Sequence, residues 1–428
     1  MRYIWYTIYN FFLLPIMVFI GIIGVIFNKK IREGFFGRFN TDGTLDDFIS
    51  SLDGNNQTIY WFHASSHGEF LQTKPVLVGL KEIEPHIKII VSFFSPSGYN
   101  NIDDNIIDCK IYLPFDFPWL VRKALKTIKP KKLIFAAYDI WPNLIWTAKA
   151  MNIPTVLFAA KFKRKTKKLM PLVRSFYQHV YNNFYSIYTI TKKDDEKLRL
   201  ILDKSKNMIL RVLGNPRYDQ VNRVSDQYSI EHTKEILNRK KSIILGSMHN
   251  EDKKNIIDGL MDLLNDNNDI YIIWVPHEPI SKNINSVYDY FLDKGYSVKL
   301  YSEQNKLGTD HPRIIIVDVV GVLSKIYWNG IIAYIGGGFS TGIHNVMEPA
   351  IARLPVIFGP NYDNFQEAIE LIDLGGGWSI NNSEEFYNIS NKLINNEKLL
   401  LNASEAATDV IHNNIGAATR VVRGIIRD

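Results

Sequence analysis

The sequence predicts an α/β protein of two Rossmann-like halves behind an apolar N-terminal helix, and three observations carry that prediction. Short apolar runs alternate with amphipathic stretches from about residue 58 onward, the pattern of a parallel sheet with crossover helices. A polar, charged segment at about 220–240 divides that alternation into two sets of similar size. Ahead of both, no charged residue occurs between Arg2 and Lys29. At 428 residues the chain is too long for one ordinary core, which agrees with two domains and an appendage.

The first element is the apolar stretch Tyr3–Phe27, long enough as a helix to cross a hydrocarbon core. Lys29, Lys30, Arg32 and Arg38 follow it and only Arg2 precedes it, which assigns everything after residue 28 to the cytoplasmic side. A helix lying in the membrane surface stays open as a rival, since Tyr3, Trp5, Tyr6 and Tyr9 suit an interface and Pro15 allows a kink. A cleavable signal is disfavoured, because Lys-Lys-Ile-Arg stands where a small-x-small site belongs.

The first half, residues 29–220, holds strand candidates at Thr58–His63, Lys88–Phe93, Lys110–Tyr112, Lys132–Ala136, Thr155–Ala159, Ser186–Ile190 and Met208–Val212. Helices are expected between them, at Glu69–Ile83 and Trp119–Thr127 among others. The second half, 221–428, has strand candidates at Ser242–Leu245, Ile270–Val275, Ile314–Val317, Ile331–Ile335 and Pro355–Phe358. It closes on a helical stretch, Leu399–Arg427, whose last part is free to pack back on the first half. The halves are expected to face one another across a cleft.

Composition narrows the function. Apolar residues make up 46% and charged residues 22%, values of a globular protein. A net charge of +6 does not by itself suggest a nucleic-acid partner, and it suits anionic lipid or phosphorylated substrates. The single cysteine, Cys109, excludes an intramolecular disulfide, a CxxC pair and a Cys-rich zinc site. Two basic clusters, Arg122–Lys132 and Lys161–Lys168, read equally as solvated faces or as contacts to anionic lipid.

Doubly wound sheets bind ligands beyond the carboxyl ends of their strands, so the residues after each strand are the candidates. Ala64-Ser-Ser-His-Gly-Glu69 follows the first strand and puts Glu69 in the first turn of a helix. There the helix dipole would keep it anionic at neutral pH and ready to accept a proton. A favourable first-turn residue with no catalytic role is the plain alternative. In the second half, Ile335-Gly-Gly-Gly-Phe-Ser-Thr-Gly-Ile-His-Asn-Val-Met-Glu-Pro follows a strand. Its glycines let amides approach a phosphate, Ser340, Thr341 and the following helix N-terminus add donors, and Asn345 and Glu348 lie three apart on one helical face. A purely structural turn explains the glycines alone as well. Ser247 and His249, and then His277, follow two further strands, and no pair of histidines has metal-ligand spacing.

These segments resemble, in order, the transferases of 3-deoxy-manno-octulosonic acid (Kdo) in lipopolysaccharide synthesis. The matches are Phe62-His-Ala-Ser-Ser-His-Gly-Glu69, Ser95-Pro-Ser-Gly98, Leu113-Pro-Phe-Asp116-Phe-Pro-Trp119, Asp139-Ile-Trp-Pro-Asn143, Gly214-Asn215, Gly246-Ser247-x-His249, Pro276-His277, Gly336–Pro349 and Phe358-Gly-Pro. The resemblance implies a GT-B fold and an inverting transfer from CMP-Kdo to a lipid A precursor (lipid IVA), with no cofactor or metal. It implies that Glu69 is the general base. It further implies that Ser247, His249, His277, Gly336, Gly337, Gly338, Ser340, Asn345 and Glu348 meet the donor, and that Ser65, Ser66, His67, Ser97, Asp139 and Lys161 meet the acceptor. The chain departs from the family pattern at Ala137-Tyr138-Asp139, where many members carry Glu-Thr-Glu, and at Lys161, where many carry arginine. A GT-B transferase using a UDP-sugar is the alternative, and a tethered binding protein on a degenerate scaffold is the non-enzymatic one.

Overall fold

The computed structural model describes residues 2–52, 57–162, 166–203, 207–229, 235–306 and 312–428. They form two compact units, Met1–Gln220 with Gly416–Asp428, and Val221–Ile415. Each is built on a fully parallel, 7-stranded sheet.

In the first unit the strands are β1 (Ile59–His63), β2 (Lys88–Phe93), β3 (Cys109–Tyr112), β4 (Lys132–Ala136), β5 (Thr155–Ala160), β6 (Ser186–Thr189) and β7 (Ile209–Val212), in the order β3-β2-β1-β4-β5-β6-β7. All five residues of β1 are buried, as expected of a strand covered on both faces. The chain reverses direction across the sheet between β1 and β4, which makes their carboxyl ends the switch point. Helices start beyond these strand ends with proline in the first turn, at Pro96, Pro118, Pro142 and Pro171, where the missing N–H costs nothing.

In the second unit the strands are β8 (Ser242–Met248), β9 (Tyr271–Pro276), β10 (Val298–Leu300), β11 (Ile314–Ile316), β12 (Ile332–Ile335), β13 (Val356–Phe358) and β14 (Gly377–Ser379), in the order β10-β11-β9-β8-β12-β13-β14. Every strand that the alternation predicts is present. The unpredicted ones, β10 and β14, are three-residue edge strands, too short to show a period. The polar stretch at 220–240 contains a helix, Arg217–Ser229, and a 3₁₀ turn, Ile236–Asn238, and 230–234 lies outside the described residues.

The helix expected over Leu399–Arg427 is two helices, Glu397–His412 and Ala417–Arg427. Gly416, at φ 89°, breaks it, and the N–H groups of Gly416 and Ala418 donate to Asp219 (2.7 and 3.0 Å). The last helix belongs to the first unit, burying Val421, Val422 and Ile425, and Asp428 receives Tyr188 Oη (2.9 Å) and Arg211 (2.8 Å).

The apolar N-terminal segment holds one continuous candidate span, Ile4–Phe27, whose outer side chains such as Phe11, Phe19 and Phe27 are exposed. Its first turns, however, are packed into the first unit. Tyr9 is only 3% exposed and donates to buried Asp116 (2.8 Å), Trp5 donates to Ser175 Oγ (3.0 Å), and Asn10 and Asn143 exchange amide bonds (3.1 and 2.8 Å). Asp116 also accepts the N–H groups of Asn143 and Leu144 (3.0 and 2.9 Å). Tyr9→Phe removes one donor from this buried carboxylate and is expected to destabilise the first unit by about 1–2 kcal/mol, read as a lowered urea midpoint in detergent.

After Asn28 the helix Lys29–Gly37 folds back along Leu14–Phe27, with Ile31 against Gly24 and Arg32 donating to the carbonyls of Val25 and Ile26 (2.9 and 3.0 Å). Between these helices and the strand-end loops runs a largely apolar groove of about 530 Å³. Met17, Ile20, Ile31, Phe35, Arg38 and Trp141 are among its lining residues.

Candidate active site

Glu69 sits where β1 hands over to the helix His67–Ile83. Ser66 caps that helix with Oγ accepting from Glu69 N–H (3.4 Å), and Glu69 Oε2 turns back to accept Ser65 N–H (2.7 Å). The loop is held from the other side by the N–H groups of Phe94 and Ser95, both donated to Ser65 O (3.2 and 2.8 Å). Gly98 permits this approach, since a Cβ there would lie 2.5 Å from the Phe93 ring.

The sequence-based expectation that Glu69 stays fully anionic is corrected here. Its residue is only 8% exposed, and burial pushes the carboxyl up to about 7, opposed by the Ser65 N–H and reinforced by the Asp139 charge. The desolvation outweighs the helix N-terminus.

Asp139 follows β4 and faces a residue that spacing alone did not single out. His63 Nε2 lies 3.2 Å from Asp139 Oδ2, and His63 Nδ1 is 3.0 Å from both Ser92 O and Ser92 Oγ. Burial would raise the Asp139 carboxyl, but the hydrogen bond and charge of His63, with Trp141 and Ser65, carry it below its ordinary value. Ala137 and Ala159 hold positive φ (60° and 52°) at the ends of β4 and β5, so the backbone bends sharply beside the site.

Ser65, Ser66, His67, Ser97, Asp139 and Lys161 thus all lie at the carboxyl end of the first sheet, with Ser97 lining the apolar groove. Of the basic cluster Lys161–Lys168, residues 163–165 lie outside the described residues. Lys168 is not a solvated charge. It donates to Tyr181 Oη (2.8 Å), lies 4.4 Å above the Tyr177 ring, and burial draws its ammonium down to about 8 against the attraction of Asp139. Arg38 donates to Phe94 O (2.8 Å) and stacks 4.4 Å over the Phe94 ring, beside the same groove.

In the second unit the candidates gather at the ends of β9, β8 and β12, again at a switch point. Ser247 lies within β8, whose pairing with β9 slips between Leu245 and Met248, and it has φ 55°. Buried Asp252, three residues after His249, ties the loops together. Its Oδ2 accepts His249 N–H (3.0 Å) and Gly337 N–H (2.7 Å), and its Oδ1 accepts Tyr334 Oη–H (2.9 Å).

This changes the reading of the glycine run. Gly336 N–H is given to Gly246 O (2.8 Å) and Gly337 N–H to Asp252, so neither amide is open to a phosphate. The glycines serve close packing: a Cβ on Gly336 would lie 2.2 Å from Ser247 O, one on Gly338 2.5 Å from Gly359 N, and Gly337 has φ 90°. Ser340 Oγ donates to Gly337 O (3.1 Å). The expected helix behind the run begins only at Met347, so Asn345 and Glu348 do not share a helical face. They meet directly, Asn345 Nδ2 donating to Glu348 Oε1 (2.7 Å), while Ser324 Oγ donates to Oε2 (2.7 Å).

His249, His277 and His344 come from three strand ends and stack, with ring centroids 4.4 Å apart for 249–277 and for 277–344, and 5.0 Å for 249–344. Burial and the two neighbouring imidazoles hold the His344 ring down to about 4, and it is neutral at physiological pH. A cavity of about 380 Å³ adjoins His249 and His277.

Two fully parallel doubly wound units, each with its polar groups at a switch point, have the architecture of known sugar-nucleotide proteins. UDP-GlcNAc 2-epimerase from Neisseria meningitidis superposes with TM-score 0.60 at 13% identity, covering 87% of this chain and 100% of that one. MurG from Acinetobacter baumannii does so with TM-score 0.55 at 13% identity, with the same coverage. At that identity these structures speak for the fold alone, which is GT-B. Residues 36–220 match the family model described as 3-deoxy-D-manno-octulosonic-acid transferase (kdotransferase). The 3-deoxy-D-manno-octulosonic acid transferase of Haemophilus influenzae is 25% identical over 418 residues, spanning 95% of this chain and 94% of the relative. That of Rickettsia bellii is 26% identical over 421 residues, spanning 96% and 95%. The chain is a GT-B glycosyltransferase. Along nearly its whole length it is similar to Kdo transferases.

Proposed function

We propose that this chain transfers Kdo from CMP-Kdo to a lipid A precursor, lipid IVA, with inversion, and that Glu69 is the general base. The observation that carries this reading is the buried Glu69 carboxyl, raised to about 7 and aimed by the Ser65 N–H. Glu69 takes the proton of an acceptor hydroxyl as that oxygen bonds to the anomeric carbon of Kdo. The bond from that carbon to the CMP phosphate oxygen breaks, and CMP departs with the electron pair. A carboxyl that titrates near 7 matches this task better than one of ordinary acidity. CMP is a good leaving group, so the transfer needs no metal.

The acceptor is read as contacting Ser65, Ser66, His67, Ser97, Asp139 and Lys161, its acyl chains suiting the apolar groove between the N-terminal helices and Trp141. The donor is read as contacting Ser247, His249, His277, Ser340, Asn345 and Glu348, the glycines 336–338 shaping the loop. The membrane concerned is the inner membrane, with both units on its cytoplasmic face. The Ile4–Phe27 span is about 36 Å long as a helix, but its first turns are packed into the first unit through Tyr9, and the Leu14–Phe27 part beyond them, about 21 Å, is shorter than a 30 Å hydrocarbon core. That favours a helix embedded from one side over one that crosses.

The test is CMP release from freshly generated CMP-Kdo by the full chain, with and without tetraacylated lipid A precursor in detergent. Release is expected only with the acceptor, together with a product heavier by one or more Kdo residues. Release that ignores the acceptor, or transfer from a UDP-sugar in its place, would overturn the reading.

A further inference from the structure

Three strand ends that are unrelated in sequence bring three imidazoles to one point. His249 follows β8, His277 follows β9 and His344 follows the glycine turn after β12. Each backbone is tied down: His249 N–H to Asp252 (3.0 Å), His277 N–H to Met248 O (3.0 Å) and His344 N–H to Gly336 O (3.1 Å). Gly337 makes room for the last ring, since a Cβ there would lie 3.1 Å from His344 Cδ2. One ring nitrogen of each histidine lies within 4.8 Å of those of the others, and among the described residues this is the one such group of potential metal ligands.

His249 Nε2 and His344 Nε2 are 2.7 Å apart. At that distance one nitrogen carries the proton and the other presents its lone pair to it. When both rings are in the tautomer protonated at Nδ1, both lone pairs face one space, and a cation there replaces the shared proton. Two imidazole nitrogens on a tetrahedral zinc ion lie about 3.3 Å apart, so the pair must open to that spacing, and the His277 ring, stacked at 16° and 24° to the other two, must turn its edge to the ion.

We propose that His249, His277 and His344 form a site for a first-row dication of the Zn²⁺ class. Imidazole nitrogen is a preferred ligand for such ions, and three neutral donors leave at least one coordination position for solvent or an anionic oxygen. The position opens beside the cavity that His249 and His277 line. The chain offers no competing thiolate cluster, having only Cys109, which is buried in the first unit. His249 and His277 are also read above as donor contacts, so the ion would sit within the proposed donor site, and its binding is measured without either substrate.

The experiment titrates the full chain in detergent with Zn²⁺ alone by calorimetry, and with Co²⁺ alone by visible absorption. One ion per chain is expected, with a Co²⁺ spectrum in the visible that Zn²⁺ abolishes. His277→Ala, at an exposed position, and His344→Ala are each expected to weaken binding about tenfold or more, while His412→Ala leaves it unchanged. Urea unfolding of each variant confirms that it is folded. No stoichiometric binding by the native chain overturns the proposal, as does unchanged affinity in a folded His277→Ala protein.

Discussion

If Glu69 is the base proposed above, Glu69→Gln is expected to lower Kdo transfer by about 10²–10⁴-fold while leaving the proposed binding of CMP-Kdo to the second unit unchanged. The amide matches the carboxylate in size and its oxygen still accepts the Ser65 N–H that orients Glu69, so the helix and its cap survive. What is lost is the ability to take a proton. In that proposed role the same group would set the pH dependence. Its carboxyl is pushed up to about 7, so the active, deprotonated form accumulates as pH rises through that value. In the native protein kcat/KM is expected to rise tenfold per pH unit below about 7 and to level off above it. In the variant that limb should vanish with the activity. Transfer that persists in Glu69→Gln with a limb moved to acid pH would pass the role to Asp139, whose carboxyl lies below its ordinary range.

The second large effect is structural. Asp252→Ala is expected to destabilise the second unit by about 3–5 kcal/mol, measured by urea unfolding. Asp252 is fully buried and receives three donors, from His249, Gly337 and Tyr334. Its removal strands all three donors. Asp252→Asn keeps one accepting oxygen and is expected to recover part of the loss. Since two of those donors belong to the strand-end loops, CMP-Kdo affinity should fall in both variants. A folded Asp252→Ala protein with native stability would mean that these loops hold their shape through Gly336–Gly246 and His344–Gly336 pairing alone.

The two residues were unequally legible. Glu69 announces itself, because a carboxylate opening a helix directly after a strand is a local pattern. Asp252 also lies in a local pattern, three residues after His249, but it reads as an ordinary first-turn carboxylate until the glycine turn is packed against it. The glycines were legible as a turn and misleading as a phosphate cradle. Which amides stay free depends on Gly246 and Asp252, a strand away or more in sequence.

The sequence by itself determined the parallel strands, the two-unit division of the sheets, the apolar helix and the likeness to Kdo transferases, because each is written in short-range periodicity or in contiguous motifs. Only the tertiary structure decided the near-neutral Glu69, the His63–Asp139 pair, the packing of Lys168 against Tyr177 and Tyr181, and the three-histidine cluster. It also decided that the N-terminal helix starts inside the first unit, through Tyr9 and Asp116. Desolvation and charge coupling depend on which atoms surround a group in space, and the parallel sheet collects those atoms from strand ends tens of residues apart.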